Sequence, residues 1–354
     1  MSLSSPPGEP ITLLQTKLYR PQAGHDVIAR PHLLERLSRG LTRKLTLITA
    51  PAGYGKTTLV SAWLAQLAWL SLDEYDNDLG LFLRYLVAAV QTVFPEAGAN
   101  TLNLLLAPQL PPLNYLATTL INDLAALPAD LILVLDDYHS LELAAIHQLL
   151  TRLLDQLPRP LHLVLLSRSE LPLPLPRLRA RGQLSEIRAA ELRFSEAEAQ
   201  TFLTHLLGRT PRPETVAALQ ERTEGWAAGL QLAALSLQGL ADERAFAPAI
   251  SGSNRYVLDY LLAEVLAQQP PAAQDFLVQT SILDRFCAPL CEAVLSRGEG
   301  FPVGQFSVFP LRGRSSSLTG ELKTAELKTD LAYLARANLF MAALDEEGRW
   351  YRYH

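Results

Sequence analysis

The sequence predicts an α/β domain built on a parallel sheet, followed by an α-helical domain and a winged-helix domain. In the first half of the chain, short apolar runs alternate with helical patterns, as in parallel sheets with right-handed crossovers. From residue 194 onward the pattern is mostly helical. A strand, a turn and a second strand follow at 339–353, and helices followed by such a hairpin fit a winged-helix unit.

Composition restricts the class of protein. The chain has 354 residues, is 49% hydrophobic and carries a net charge of −5, which favours a globular protein of two or three domains without an overall basic footprint for nucleic acid. The sequence predicts neither a signal peptide nor a membrane span. Cys287 and Cys291 are predicted to be reduced interior thiols. We therefore expect a cytoplasmic protein with no membrane partner.

The individual elements follow from the apolar pattern. Strands are predicted at residues 44–50, 67–72, 131–135 and 161–166. The run at 131–135 is continuously apolar, as a strand covered on both faces should be, and 161–166 is predicted to be another buried strand. Helical spacing predicts a short helix after Pro31 and helices at 79–93, 113–127, 141–157, 195–207, 213–221, 226–238, 255–268 and 271–281. Ser195 and Glu198 form a predicted capping box at the first helix of the second half.

Residues 50–58 have the composition of a loop that cradles phosphate. The loop follows a predicted strand and precedes a helix, so its glycines can turn backbone N–H groups toward an anion at the helix N-terminus. Lys56 is predicted to reach the β- and γ-phosphates, and Thr57 to place its hydroxyl on Mg²⁺. An ordinary strand–turn–helix is the alternative. The predicted nucleotide contacts from this loop are Ala52, Gly53, Tyr54, Gly55, Lys56, Thr57 and Thr58.

Other polar groups follow neighbouring strands, at the sheet edge where ligands of such folds bind. Asp136 is predicted to hold Mg²⁺, and Asp137 to orient or deprotonate the attacking water. Arg168 is predicted to detect a γ-phosphate, and with Lys56 and Asp137 it makes up the predicted catalytic set. The alternatives are a helix-capping aspartate and a surface arginine. The acidic loop 73–78 could bind a cation, but a solvated loop is favoured.

The chain resembles the nucleotide-binding half of the MalT-like regulators, which are large transcriptional activators of the LuxR type. These belong to the signal-transduction ATPases with numerous domains (STAND), relatives of the NB-ARC proteins. The resemblance implies a P-loop NTPase that binds ATP or ADP with Mg²⁺. It rests on residues 16–18, 27–31, 50–58, 68–78, 131–139, 167–168, 225–230 and 350–354. In that family the first position of the loop is usually alanine, as Ala50 is here.

The resemblance also assigns residues outside the sheet. Val27, Ile28 and Arg30 match the segment that lines the adenine. Gln231 replaces the proline of a Gly-Leu-Pro-Leu-Ala segment that packs near the nucleotide in NB-ARC proteins. His354 falls where a winged-helix histidine would contact the β-phosphate of ADP.

Four regions follow from pattern and resemblance together. We expect an adenine-side segment at 1–40, a P-loop NTPase domain at 41–190, a helical domain at 191–250 and a winged-helix domain at 251–354. A flexible insertion is expected at 296–330. Compared with the family, the connector before the strand at 67–72 is short, and the sequence stops before the sensing region and the helix-turn-helix. We therefore expect a fragment or a truncated relative whose contact with DNA lies outside this chain.

Three hypotheses for function follow. The leading one is a switch that is closed with ADP, opens with ATP to self-associate, and hydrolyses ATP slowly as a reset. The second is a dedicated ATPase or other phosphotransferase in which turnover is the output. The third is a degenerate scaffold that binds no nucleotide.

Overall fold

The computed structural model describes residues 12–22, 27–63, 67–238, 271–283, 285–296, 331, 341–343 and 349–353. Contacts divide the chain into two units. The first consists of Met1–Ala50 and Gly55–Leu192, and the second of Pro51–Tyr54 and Arg193–His354. Four residues of the phosphate loop are therefore grouped with the second unit. The boundary predicted at residue 250 lies outside the described residues.

A parallel five-stranded sheet forms the centre of the first unit in the part of the chain that the structure describes. Its order is β2-β3-β4-β1-β5, and every neighbouring pair is parallel, which confirms the predicted α/β class. The strands are β1 (Leu45–Thr49), β2 (Ala68–Ser71), β3 (Leu131–Asp136), β4 (Leu161–Ser167) and β5 (Leu184–Arg188). All positions of β1 and β4 are buried, including the polar residues Thr46 and His162.

Helices accompany the sheet, among them those that the sequence predicts for this part of the chain. They are α1 (Pro31–Gly40), α2 (Lys56–Ser61), α3 (Leu79–Gln91), α4 (Ala99–Leu104), α5 (Leu113–Ala125), α6 (Ala144–Asp155), α7 (Leu175–Ala180) and α8 (Ala189–Leu192). Pro31 opens α1, where its missing N–H costs nothing. One large apolar cluster includes Leu83, Leu120, Leu133 and Leu165, all 0–1% exposed. It fixes the strand ends on which the polar groups lie.

The second unit is largely helical where it is described. Its elements are α9 (Glu196–Leu207), α10 (Pro213–Thr223), α11 (Ala227–Gln238), α12 (Pro271–Thr280), α13 (Ala288–Ser296), β6 (Met341–Ala343) and β7 (Tyr351–Tyr353). Ser195 and Glu198 form the predicted capping box. Antiparallel pairing of β6 with β7 confirms the predicted terminal hairpin. The predicted helix at 255–268 and residues 297–330 of the predicted insertion lie outside the described residues.

Both cysteines of this unit are free thiols, as predicted. Cys291 packs in a small core with Phe286 and Tyr351, and its burial raises the pKa of the thiol to about 12. Among the described residues, no group of three or more potential ligands could hold a metal ion through histidine, cysteine and carboxylate side chains alone. No helix within the described ranges has the length and apolar character needed to cross a membrane.

Candidate nucleotide-binding site

The phosphate loop joins β1 to α2 in the predicted order. Gly53 and Gly55 have φ angles of 75° and 74°, in the left-handed region that side chains disfavour. Gly55 directly precedes α2, and a Cβ atom added there would meet nothing within 4 Å, so the requirement for glycine is conformational. The loop therefore turns at its two glycines in the way a phosphate cradle requires.

Lys56 begins α2 and is buried, with 6% of its surface exposed. Its Nζ donates a hydrogen bond to the carbonyl oxygen of Ala50 at 2.8 Å. Burial lowers the pKa of Lys56 to about 8, against the attraction of Asp137 and with some help from Arg168. A buried ammonium is costly in free energy, and a bound anion lowers that cost. The ammonium group of Lys56 therefore lies where it can bind a phosphate.

Thr57 and Asp136 meet at the carboxyl end of the sheet. The Thr57 hydroxyl donates to Asp136, with Oγ1 3.0 Å from Oδ2 and 3.2 Å from Oδ1. Asp136 is 4% exposed, and its burial together with the charge of Asp137 raises its pKa to about 6. A hydroxyl and a carboxylate in contact are the hard oxygen ligands that Mg²⁺ takes in nucleotide sites. These two residues therefore fit the predicted metal ion.

Asp137 leaves the strand in an unusual backbone conformation, with φ 54° and ψ 38°. Residues other than glycine adopt this region at a cost of order 1 kcal/mol, and they cluster at functional sites. The Asp137 side chain is 40% exposed. The role predicted for Asp137, toward the attacking water, stays a prediction.

His139 is a site residue that the sequence reasoning did not single out. Its Nδ1 lies 3.8 Å from Asp137 Oδ1, is buried, and has no hydrogen-bond partner among the described residues. Burial lowers the pKa of the imidazole to about 4, against Asp137 and with smaller contributions from Arg168 and Lys56. Its position directly after Asp136-Asp137-Tyr138 was the available signal. Without the fold, a lone histidine after an acidic pair gives no reason to expect an unpaired ring nitrogen.

Arg168 follows β4, and β4 lies between β1 and β3. The register places Ser167 opposite Thr49 and Leu165 opposite Leu135, so the polar residues that follow these strands gather at one edge. The charge of Arg168 reaches both Lys56 and His139. The structure therefore brings together Lys56, Thr57, Asp136, Asp137, His139 and Arg168.

The remaining loop residues offer backbone more than side chain. Tyr54 is 4% exposed, and burial raises the pKa of its phenol in an environment that includes Arg193 and Glu224. Its side chain therefore packs inside the second unit, and only its backbone is left to serve a phosphate. Ala52 and Gly53 belong to the same unit. Thr58 is exposed on α2.

Three predicted contacts outside the loop have different environments. Ile28 is buried and Val27 half-buried, as an adenine-lining segment requires. The Arg30 guanidinium donates to the carbonyl oxygens of Leu192 at 2.8 Å and Glu191 at 3.4 Å, so it anchors this segment to α8.

Two further predicted contacts receive no structural support of this kind. Gln231 is exposed on α11, and His354 lies outside the described residues. Both stay predictions.

The acidic loop 73–78 is neither solvated throughout nor arranged as a cation site. Lys17 Nζ lies 2.8 Å from carboxylate oxygens of both Asp73 and Asp76. Asp76 is fully buried and also accepts a hydrogen bond from the Asp73 N–H at 2.9 Å. The expectation of a solvated loop was therefore wrong for Asp76. Its partner is a lysine 59 positions away, which no local pattern shows.

Two family models match the chain, the NACHT domain over residues 44–210 and the MalT winged helix domain over residues 262–307. The chain is 34% identical over 347 residues to the HTH-type transcriptional regulator MalT of Cronobacter sakazakii, and 33% identical to that of Klebsiella pneumoniae strain 342. Each alignment covers 97% of this chain but 36% of the regulator, so the chain spans about a third of the length of these relatives.

Among solved structures, the chain is similar to the Walker-type ATPase of Pyrococcus abyssi. The TM-score is 0.58 at 14% sequence identity, and the match covers 94% of this chain and 95% of the other. At this identity the likeness concerns the fold, and it agrees with the P-loop arrangement of the first unit.

Proposed function

Because the chain belongs with the MalT-like P-loop proteins, we propose that it is an adenine-nucleotide switch module of a transcriptional regulator. One observation supports this most strongly. A buried lysine, a threonine–aspartate pair, a histidine whose Nδ1 has no hydrogen-bond partner in the described part of the chain, and an arginine converge at one sheet edge. Such groups are costly to bury, and a nucleotide with its metal ion satisfies all of them together.

Different residues of the site contact different parts of the nucleotide and its metal ion. Lys56 exchanges its bond to the Ala50 carbonyl for phosphate oxygens, and the loop amides hold the same phosphates. Thr57 and Asp136 hold Mg²⁺, which when bound neutralises charge on the β- and γ-phosphates. Val27 and Ile28 cover the adenine. Arg168 detects the γ-phosphate and so distinguishes ATP from ADP.

The output of the module is a change of conformation. A nucleotide shifts such an equilibrium only by its difference in affinity for the two states, so ADP and ATP must favour different ones. In this proposal ADP holds the closed state and ATP favours an open state that self-associates. Hydrolysis through Asp137 is slow and resets the switch.

A dedicated ATPase is the second candidate, favoured by the closeness of Asp137 and His139, whose atoms lie 3.8 Å apart. A carboxylate beside a neutral imidazole can position and deprotonate water. Fast phosphate release that does not depend on self-association would favour this candidate over the switch.

Contact with DNA is proposed only for a longer regulator of which this chain is a part, acting in the cytoplasm. The matched relatives are HTH-type transcriptional regulators by name, and the chain covers 36% of their length. No residue of this chain is assigned to DNA.

Calorimetry with ADP and ATP tests the proposal. We expect Lys56→Ala to weaken the binding of both nucleotides by about 100-fold, because it removes a buried charge from the phosphates. Lys44→Ala is the matched control, since Lys44 bonds the carbonyl oxygens of Leu154 and Asp155 instead. Unchanged binding in Lys56→Ala would refute the phosphate-loop assignment. Light scattering with each nucleotide then tests self-association.

A further inference from the structure

Residues 225–230 carry part of the family resemblance, yet the proposed site gives them no task. In the structure they lead into and begin α11. The Trp226 indole Nε1 donates to the carbonyl oxygen of Ala52 at 3.0 Å, and the Ala228 N–H donates to the carbonyl oxygen of Gly53 at 3.0 Å. Two consecutive carbonyls of the phosphate loop are thus held by one tryptophan and by the first turn of one helix.

The glycines of this segment fix the tryptophan in place. Gly225 has φ +72°, and a Cβ atom there would lie 2.6 Å from the Phe194 carbonyl oxygen. A Cβ atom on Gly229 would lie 2.5 Å from Trp226 Cε3, so the ring lies directly against that glycine. Trp226 is 7% exposed. Gly229 therefore leaves room for the indole ring, while Gly225 allows the backbone turn directly before Trp226.

Holding a carbonyl also orients an amide. The peptide bond is planar and trans, so the N–H of the next residue points opposite to the carbonyl of the preceding one. Fixing the carbonyls of Ala52 and Gly53 toward α11 turns the N–H groups of Gly53 and Tyr54 the opposite way. Loop N–H groups are what a phosphate cradle presents to its anion. The Ala228 N–H belongs to the helix's first turn, where no intrahelical acceptor exists, so this bond costs α11 nothing.

We propose that Trp226 is a positioning residue for nucleotide binding: with the first turn of α11 it holds the phosphate loop in its nucleotide-receiving form before the nucleotide arrives. The identity of the ligand rests on the proposed function. The orientation of the loop rests on the two hydrogen bonds alone. Conversely, a nucleotide that reorients the loop must disturb these two hydrogen bonds and so act on the start of α11.

Trp226→Phe tests the proposal because it keeps a ring and removes the N–H. Trp63→Phe is the matched control, since the Trp63 indole donates to Ser38 Oγ at 2.9 Å in the first unit. Two quantities are measured for each protein: hydrogen exchange of loop residues 51–56 without nucleotide, and the Kd for ADP with Mg²⁺. We expect Trp226→Phe to speed loop exchange and raise the Kd by about 5-fold each, the effect of one hydrogen bond. The control should change neither.

Loop exchange and Kd that both match the wild type would overturn the proposal. Faster exchange throughout the second unit without a change in Kd would also overturn it, because the role of Trp226 would then be structural only. If Trp226→Phe does not fold, benzothienylalanine at position 226 keeps the bicyclic shape without the N–H and decides the same question. A wild type that binds no ADP would refute the proposed function, while loop exchange would still decide whether Trp226 holds the loop.

Discussion

Buried polar groups at the two ends of the same sheet differ in how fully their hydrogen bonds are satisfied. His162 lies near the amino ends of the strands. Both of its ring nitrogens have hydrogen-bond partners: Nδ1 lies 2.8 Å from the Arg43 carbonyl oxygen, and Nε2 lies 3.0 Å from Thr46 Oγ1. His139, beyond the carboxyl ends, has a buried Nδ1 without a hydrogen-bond partner among the described residues. Burial lowers the pKa of both rings. A shifted pKa is therefore common to both rings, and the buried Nδ1 without a hydrogen-bond partner in the described part of the chain is what distinguishes His139 from His162.

Two buried aspartates repeat the contrast. Asp123 accepts hydrogen bonds from the Thr101 N–H at 2.8 Å, the Thr101 hydroxyl at 2.7 Å and Asn100 Nδ2 at 2.8 Å, so its oxygens are satisfied by the fold. Asp136 has the Thr57 hydroxyl and the Asp137 N–H, and its pKa is raised to about 6. The first carboxylate stabilises the structure. Ionising the second carboxyl group costs more free energy than ionising an exposed aspartate, until a cation binds beside it.

The largest expected effect comes from neutralising these two aspartates. Asp136→Asn should abolish the Mg²⁺ dependence of ATP binding with little loss of stability, because it removes a buried charge. Asp123→Asn should lower the free energy of unfolding by about 2 kcal/mol and leave Mg²⁺-dependent binding intact. Urea unfolding and calorimetry at fixed Mg²⁺ check the pair. Equal losses of unfolding free energy in both variants would contradict the proposed difference between Asp123 and Asp136.

The histidines give the next largest effect. His162→Asn should destabilise the protein by about 1–2 kcal/mol at pH 7, since two buried partners lose their hydrogen bonds. His139→Asn should be close to neutral at that pH, because its Nδ1 has no bond to lose. Thermal unfolding of both variants checks this. A larger loss for His139→Asn than for His162→Asn would contradict the comparison.

Arg168→Lys separates detection of the γ-phosphate from general attraction of anions. Lysine keeps the charge but loses the two-pronged geometry of the guanidinium. We expect affinity for ATP to fall by about 10-fold and affinity for ADP to change little, as measured by calorimetry. Arg177→Lys serves as control, because Arg177 pairs with Asp155 away from this edge. Equal losses for both nucleotides would assign Arg168 to general electrostatics.

The smallest expected effect is a dependence on pH. The folded state holds His139 neutral down to pH 4 or so, whereas the unfolded chain takes up a proton near pH 6.5. The wild type therefore loses stability as pH falls through this window. Asp136 acts in the opposite direction but is common to both proteins. His139→Asn should gain about 0.7 kcal/mol relative to the wild type between pH 7 and pH 6. A difference in stability between His139→Asn and the wild type that stays constant with pH would contradict the lowered pKa of His139 and its assignment to the site.

Local patterns were sufficient for the elements that are buried on both faces. The strands that became β1, β2, β3 and β4 were predicted because their runs are mostly apolar, and that of β3 is apolar without interruption up to Asp136. The edge strand β5 was missed because Ser185, Glu186 and Arg188 interrupt its apolar pattern, and its pairing with β1 is long-range. Helices α4 and α7 were also missed; at six residues each, they are too short to show a helical period.

The residues of the site also differ in whether local patterns in the sequence could predict them. Lys56, Thr57, Asp136 and Arg168 could be predicted because each follows a strand directly, and parallel strands bring their carboxyl ends together. The burial of Tyr54 in the second unit, the Arg30 anchor on α8 and the Trp226 bond to Ala52 depend on partners distant in sequence. No periodicity or spacing encodes such partners, so they emerge only from the fold.

The central claim is that the polar groups at the carboxyl edge of the sheet form an adenine-nucleotide site. Its most direct test is to purify the protein without added nucleotide, denature it, and quantify the small molecules released. We expect adenine nucleotide, chiefly ADP, in near-stoichiometric amount from the wild type and little from Lys56→Ala. A wild-type protein that releases none, and whose melting temperature does not respond to saturating ADP with Mg²⁺, would contradict the claim.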